Sequence, residues 1–228
     1  MVESGPRDST ASRVADMVRA RVIDGELLPG AKLSQERVQE ALGVSRSTLR
    51  EALQLLIRER LLVHHLGRGV FVRELSMADI SDLYRVRRIV ECAALQRIEV
   101  IHPTGLRALR AAIEDGRAAA AEQRWGHVAA ASIRFHEALV ALAGSERLDE
   151  MVREVLAEFR LAYAFMHDTQ AFHARFLQRH TGIADAVGSG DLELAASLLD
   201  SYLADAEREV LASYRQPPPP RRRRSRAG

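Results

Sequence analysis

The run formed by residues 31–72 constrains this chain more than any other. Two segments of helical period meet at Leu42-Gly43-Val44, and two short β-type runs around glycines follow. That order predicts a winged helix-turn-helix, a module that reads duplex DNA through the major groove. Ser45 stands where an N-cap is needed, with its hydroxyl placed to accept a backbone N–H of the next turn. Arg46, Ser47, Thr48 and Arg50 follow it. The start of a recognition helix is what enters the groove, so these side chains are expected to face base edges and phosphates. Leu49, Ala52, Leu53, Leu56 and Ile57 recur at helical spacing and predict the face turned to the core. Residues 61–63 and 70–72 are the expected wing strands, with His64, His65, Gly67, Arg68 and Gly69 at the tip. A helical hairpin with a solvated arginine face would explain the turn alone, but not the whole order.

These segments resemble the GntR family of bacterial transcription regulators. The similarity begins at Val14-Ala15-Asp16 and runs through Ile23-Asp24-Gly25 and Leu28-Pro29-Gly30 to Phe71-Val72. Its specific parts are the Leu-Pro-Gly triplet and the run from Gly43 through Ser45, Arg46, Leu49, Arg50 and Glu51 to Leu53. The resemblance implies that Arg46, Thr48 and Arg50 touch operator DNA and that His65 and Gly67 belong to the wing. The family usually carries Glu-Arg a short way before the turn glycine, with the arginine on DNA. Gln35 and Glu36 hold those slots here, and Arg37, one place late, is the nearest candidate.

A chain of 228 residues has room for two ordinary domains. The formal net charge is +2, so the molecule is no polycation and its basicity is local. Arginine supplies nearly all of it, since Lys32 is the only lysine. A single cysteine, Cys92, excludes an internal disulfide and a cysteine-rich zinc site. Set among Ile89, Ala93 and Leu95, it reads as a small buried hydrophobe. No apolar run has the length of a membrane span and no signal-peptide pattern is seen, so a cytoplasmic protein without a membrane partner is expected. No nucleophile motif, phosphate-binding glycine loop or carboxylate pair speaks for an enzyme.

The chain divides into an arm (1–8), a DNA-binding domain (9–73), a helical domain (77–213) and a tail (216–228). A first helix capped by Ser9 or Thr10 should run to about Asp24. Beyond Met77 the pattern predicts six helices, at 77–101, 103–123, 125–143, 146–167, 169–188 and 191–213. The expected fold is mostly α, a winged helix-turn-helix followed by an antiparallel bundle of about six helices. The tail, four prolines followed by Arg221, Arg222, Arg223 and Arg224, is expected to be disordered and to add only non-specific attraction to DNA.

The helical segment resembles the effector-binding FCD domain of the FadR subgroup. The residues that carry this are Leu83-Tyr84-Arg85-Val86-Arg87 with Glu91, Phe135-His136 with Ala143-Gly144, His180 with Ala186, Gly190-Asp191 and Ala195-Ala196. The resemblance implies a small effector, often a carboxylic acid, and a homodimer whose geometry on DNA changes on binding. Many members of the subgroup hold a divalent metal with one aspartate and three histidines. Here Ser132 fills the aspartate slot, His136 and His180 are kept, and Tyr202 fills the last histidine slot. A serine hydroxyl and a neutral tyrosine are weak ligands beside carboxylate and imidazole. No cofactor is therefore required, and a divalent metal would have only His136 and His180 to hold it. Arg87, Ser132, His136, His180 and Tyr202 form the expected effector pocket, with Arg87 pairing an acidic ligand.

Plainer accounts exist for three of these residues. His136 and His180 can be satisfied core histidines, and Arg87 can pair with Glu91 at i,i+4. His127, His167 and His173 have no motif around them and read as surface or packing residues. The expected whole is a homodimeric, ligand-responsive repressor that binds double-stranded operator DNA. An architectural DNA-binding dimer without an effector is the second class. A helical metal-dependent hydrolase is the third; it lacks ligands and leaves the winged module unexplained.

Overall fold

A computed structural model of the protein describes residues 9–23, 26–166 and 168–215. The expectations for the arm, for His167 and for the Pro/Arg tail lie outside the described residues. Among the described residues, no helix is long and apolar enough to cross a membrane.

The chain forms two compact units, and each is taken by itself. The first holds the described residues up to Ser76 together with Glu150–Ala164; the second holds Met77–Asp149 and the described residues from Phe165 onward. The linear reading put all of 146–167 in the bundle. The contacts instead divide that helix after its first turn.

In the first unit, α1 spans Thr10–Ile23, α2 Gln35–Leu42 and α3 Arg46–Arg58. Ser9 caps α1 by accepting from the Ser12 N–H at 3.1 Å. The turn between α2 and α3 depends on Gly43, whose φ of 61° lies in the left-handed region and whose N–H caps the carbonyl of Gln39. Leu49, Ala52, Leu53 and Leu56 of α3 are buried as the spacing predicts, while Ile57, expected with them, is half-buried. Arg19 of α1 grips Glu59 after α3 through three hydrogen bonds, Nε to Oε2 at 3.0 Å, Nη2 to Oε1 at 2.7 Å and Nη2 to Oε2 at 2.8 Å.

Strands β1 (Leu62–His65) and β2 (Gly69–Val72) pair antiparallel, from Leu62 opposite Val72 to His65 opposite Gly69. The strands therefore extend further toward the tip than expected. His64, His65 and Gly69 belong to the ladder, and Leu66-Gly67-Arg68 alone form the turn. A third segment also joins the wing. Leu33 N–H donates to the Val70 carbonyl and Val72 N–H to the Ala31 carbonyl, both at 2.9 Å, and Lys32 bridges Phe71. The remainder of the unit, Glu150–Ala164, takes in α7 (Glu146–Phe159) beyond its first turn and a 3-10 helix, Arg160–Phe165, short of its last residue. Arg73 Nη1 reaches Oε1 of the buried Glu158 at 2.6 Å and ties this segment to the end of the wing.

The second unit is built from α4 (Met77–Gln96), α5 (Pro103–Ala121), α6 (Trp125–Ala141), α8 (Thr169–Ser189) and α9 (Leu192–Tyr214). Short links between α5 and α6 and between α8 and α9 make these pairs antiparallel neighbours. Helix α4 also packs on α6 and α9, and α8 on α5 and α6. The expected first bundle helix ran to 101, whereas α4 stops at Gln96. The β-branched residues Ile98, Val100 and Ile101, with an extended His102 before Pro103, oppose continuation.

Candidate functional site

The first candidate site is a face of the N-terminal unit. Ser45 caps α3 by accepting from the Thr48 N–H at 3.1 Å, and its hydroxyl lies 2.8 Å from those of Ser47 and Thr48. This small network fixes the first turn and leaves Arg46 and Arg50 exposed beside it. A groove of about 850 Å³ runs between α3 and the wing, with Arg46, Arg50, Gly67 and Arg68 in its lining. Four of the nine expected DNA-facing residues therefore share one concave surface. Ser45, Ser47 and Thr48 serve the cap next to it. His65 lies off the groove lining, its ring edge-on to Phe71 at 5.2 Å. Arg37 is exposed but outside the lining, its N–H donating to the Ser34 hydroxyl that caps α2.

Lys32, Gln35 and Gln39 also line the groove, and the sequence reading did not put them there. Lys32 is brought in by its bridge to the wing, which no local pattern announces. With Arg46, Arg50 and Arg68 it gives the groove four cationic side chains, against the one carboxylate of Glu36. Such a surface matches a polyanion.

The second candidate site is inside the bundle. Arg87 and Glu91 of α4, Ser132 and His136 of α6, His180 of α8 and Tyr202 of α9 are all buried. The five expected pocket residues are thus brought together. The ring of His136 is 5.4 Å from that of His180 and 5.2 Å from that of Tyr202, centre to centre. His180 stacks on Phe135 at 4.1 Å. Burial raises the pKa of the Tyr202 hydroxyl, partly offset by Arg87 and Ser132.

Glu91 is the member that sequence reasoning missed, having entered only as the i,i+4 partner of Arg87. That pair is formed, with Arg87 Nε donating to Glu91 Oε1 at 2.7 Å. The second carboxylate oxygen is 2.6 Å from His136 Nδ1. Burial pushes the Glu91 carboxyl up, but Arg87 and His136 together hold it below the ordinary glutamate value. It is the ionised acceptor that fixes the His136 ring. Burial lowers the basicity of His136, partly offset by Glu91. Burial, reinforced by the positive field of its neighbours, lowers that of His180 well below 6.5.

Both imidazoles are therefore neutral near pH 7. His136 Nε2 and both ring nitrogens of His180 are buried without a hydrogen-bond partner among the described residues. Unsatisfied buried polar atoms are costly, and three of them share this one cluster. His173, expected on the surface or in packing, is buried, and its pKa is lowered to about 4 by that burial. Asp200, two residues from Tyr202, faces elsewhere and pairs with Arg88 at 2.7 Å.

The donor set does not suit a resident divalent metal. The Ser132 and Tyr202 hydroxyls are weak ligands, and the Glu91 carboxylate is shared between Arg87 and Nδ1 of His136. Two imidazoles remain, fewer than any closed protein shell. Among the described residues no group of three or more His, Cys, Asp or Glu is placed to hold a metal ion.

Comparison with known proteins finds matches to both parts of the chain. The model of the bacterial regulatory proteins of the gntR family matches residues 10–72, and that of the FCD domain matches residues 82–205. The crystal structure of a transcriptional regulator GntR from Rhodococcus sp. RHA1 superposes with a TM-score of 0.84 at 42% identity, covering 90% of this chain and 98% of that one. An HTH-type transcriptional regulator in an unstable DNA locus of Streptomyces ambofaciens is 29% identical over 188 residues, 82% of this chain and 78% of the relative. The gluconate operon transcriptional repressor of Bacillus licheniformis is 37% identical over 93 residues, 40% of this chain and 37% of that protein.

Proposed function

Because the chain belongs to the GntR family of bacterial regulatory proteins and carries an FCD domain, a family of transcription regulators rather than enzymes, we propose that it is an operator-binding repressor. Its α3–wing groove holds the DNA and its buried histidine cluster holds the effector. The observation that carries the DNA half is the convergence of Arg46, Arg50, Arg68 and Lys32 on one groove. Arginine from the start of α3 suits bidentate contact with guanine in the major groove, while Lys32 and Arg68 suit phosphate. A homodimer presents two such grooves to two half-sites, which gives a single short module the contacts it lacks alone. Repression is supported by the name of the gluconate operon relative.

The effector half rests on the three partnerless imidazole nitrogens. A ligand offering two hydrogen-bond donors and one acceptor satisfies them directly, without a metal, because a neutral His180 carries one N–H and one bare nitrogen. Arg87 is already matched by Glu91, so its role is to fix the polarity of the cluster rather than to serve as a spare cation for an acid. Effector binding and DNA binding are then coupled through the dimer geometry, each changing the affinity for the other by the same factor.

Fluorescence anisotropy on operator DNA tests the reading. Arg46→Ala and Arg50→Ala should each weaken binding by about 1–3 kcal/mol, the range for losing a bidentate base contact. Unchanged affinity in both variants contradicts it.

A further inference from the structure

Within the second unit, a cavity of about 470 Å³ lies between α8 and α9, lined by Arg175, Phe176 and Arg179 of one helix and Asp205, Arg208 and Glu209 of the other. Three arginines face two carboxylates there, a surplus of one positive charge. Nη1 of Arg179 donates to Oδ2 of Asp205 at 2.7 Å, and Nη2 to the Ser201 hydroxyl at 3.1 Å. The same guanidinium lies over two aromatic rings, 5.6 Å from the centre of Tyr202 and 5.8 Å from that of Phe176. The Tyr202 ring is in turn 5.1 Å from His180 and 5.2 Å from His136, centre to centre. One ring therefore separates a cation in the cavity from the partnerless nitrogens of the histidine cluster.

An ion-pair network that braces α8 against α9 is the plain account of these charges, and exposed pairs of that kind contribute little. The way the partners are shared goes beyond it. Arg175 pairs with Glu209 at 2.7 Å. Asp205 serves two arginines, accepting from Arg179 through Oδ2 and from Arg208 through Oδ1. Asp205 thus keeps a partner when Arg179 turns to another anion, and no charge is stranded. Arg87 has no such freedom, because its withdrawal would leave the buried Glu91 facing only a neutral imidazole. We propose that Arg179 and the α8–α9 cavity form an outer anion subsite, and that the effector is a two-ended molecule with its anionic group there and an uncharged hydrogen-bonding group at His136 and His180. The charged end stays outside the cluster, where it takes the place of Asp205 on Arg179. A guanidinium holds a carboxylate by two parallel hydrogen bonds. Phe176 supplies an apolar wall for the body between the two ends. This inference rests on the reading of the histidine cluster as the effector site.

The test is thermal unfolding of the full-length protein with 4-carbamoylbenzoate, whose carboxylate and primary amide stand at opposite ends of one ring. Terephthalamide lacks the anionic end and benzoate lacks the amide. A ligand that binds only the folded state raises the melting temperature, and 4-carbamoylbenzoate should raise it more than either control. Arg179→Met should leave the unliganded protein folded, since the pair it breaks is partly exposed. It should weaken 4-carbamoylbenzoate binding about tenfold or more, the loss for a hydrogen bond to a charged group. Asp205→Asn releases Arg179 to the ligand and should tighten binding. His180→Phe should weaken it through the inner end. If Arg179→Met binds 4-carbamoylbenzoate like the wild type while His180→Phe is impaired, the arginines are only a brace, the subsite is overturned and the effector reading stands. If His180→Phe is also unimpaired, or if no compound shifts the wild type, both fall.

Discussion

Nδ1 of His136 lies 2.6 Å from Oε2 of Glu91, and the same carboxylate accepts from Arg87 through its other oxygen. One buried anion therefore joins α4 to α6 and balances a buried guanidinium. Removing one partner of such an arrangement leaves an uncompensated charge, which costs more than the pair contributes. Glu91→Gln should destabilise the protein by about 3–5 kcal/mol in urea unfolding. The double variant Arg87→Met, Glu91→Gln should recover much of that loss. Additive losses would show that the two residues act independently.

The buried histidines make stability depend on pH. The folded state holds His173 neutral down to about 4, whereas an ordinary histidine takes up a proton near 6.5. Below 6.5 the unfolded chain binds more protons, so stability is full above that value and falls as the pH drops toward 4. His136 and His180 shift in the same direction. His173→Phe should remove about 3 kcal/mol of the pH dependence between pH 7 and 4. Urea unfolding at a series of pH values measures this, and an unchanged slope would assign the dependence to the other two.

Much of this was legible in the sequence, for identifiable physical reasons. The apolar stripe of α3, the cap at Ser45 and the glycine turn are local, so spacing alone predicted them. The bundle helices followed from period and from breaks at Gly and Pro. The segment Glu150–Ala164 groups with the N-terminal unit, a tertiary preference that periodicity does not encode. Glu91 looked like half of an ordinary helix pair because its second partner, His136, lies 45 positions away. Lys32 entered the groove through a bridge to Phe71 that carries no strand pattern.

Capping should matter to DNA binding as well as to stability. Ser45→Ala removes the acceptor for the Thr48 N–H and the centre of the hydroxyl network. A loss of about 1 kcal/mol in unfolding free energy is expected. Operator affinity should also fall, because the first turn of α3 carries Arg46 and Arg50. Thermal unfolding and anisotropy on one preparation separate the two effects.

Metal dependence can be examined directly. With two neutral imidazoles as the remaining donors, protein purified without chelator should carry far less than one equivalent of zinc, nickel or manganese. EDTA should leave the melting temperature unchanged. A stoichiometric metal together with a large drop in EDTA would reassign the cluster as a metal centre.

The central claim is that α3 and the wing read DNA as a symmetric pair, and selection from a randomised duplex library tests it most directly. The wild-type protein should enrich two half-sites related by two-fold symmetry, their centres about one helical turn or a multiple apart. The double variant Arg46→Ala, Arg50→Ala should enrich no such motif. A wild-type protein that enriches nothing, or a double variant that enriches the same motif, contradicts the account.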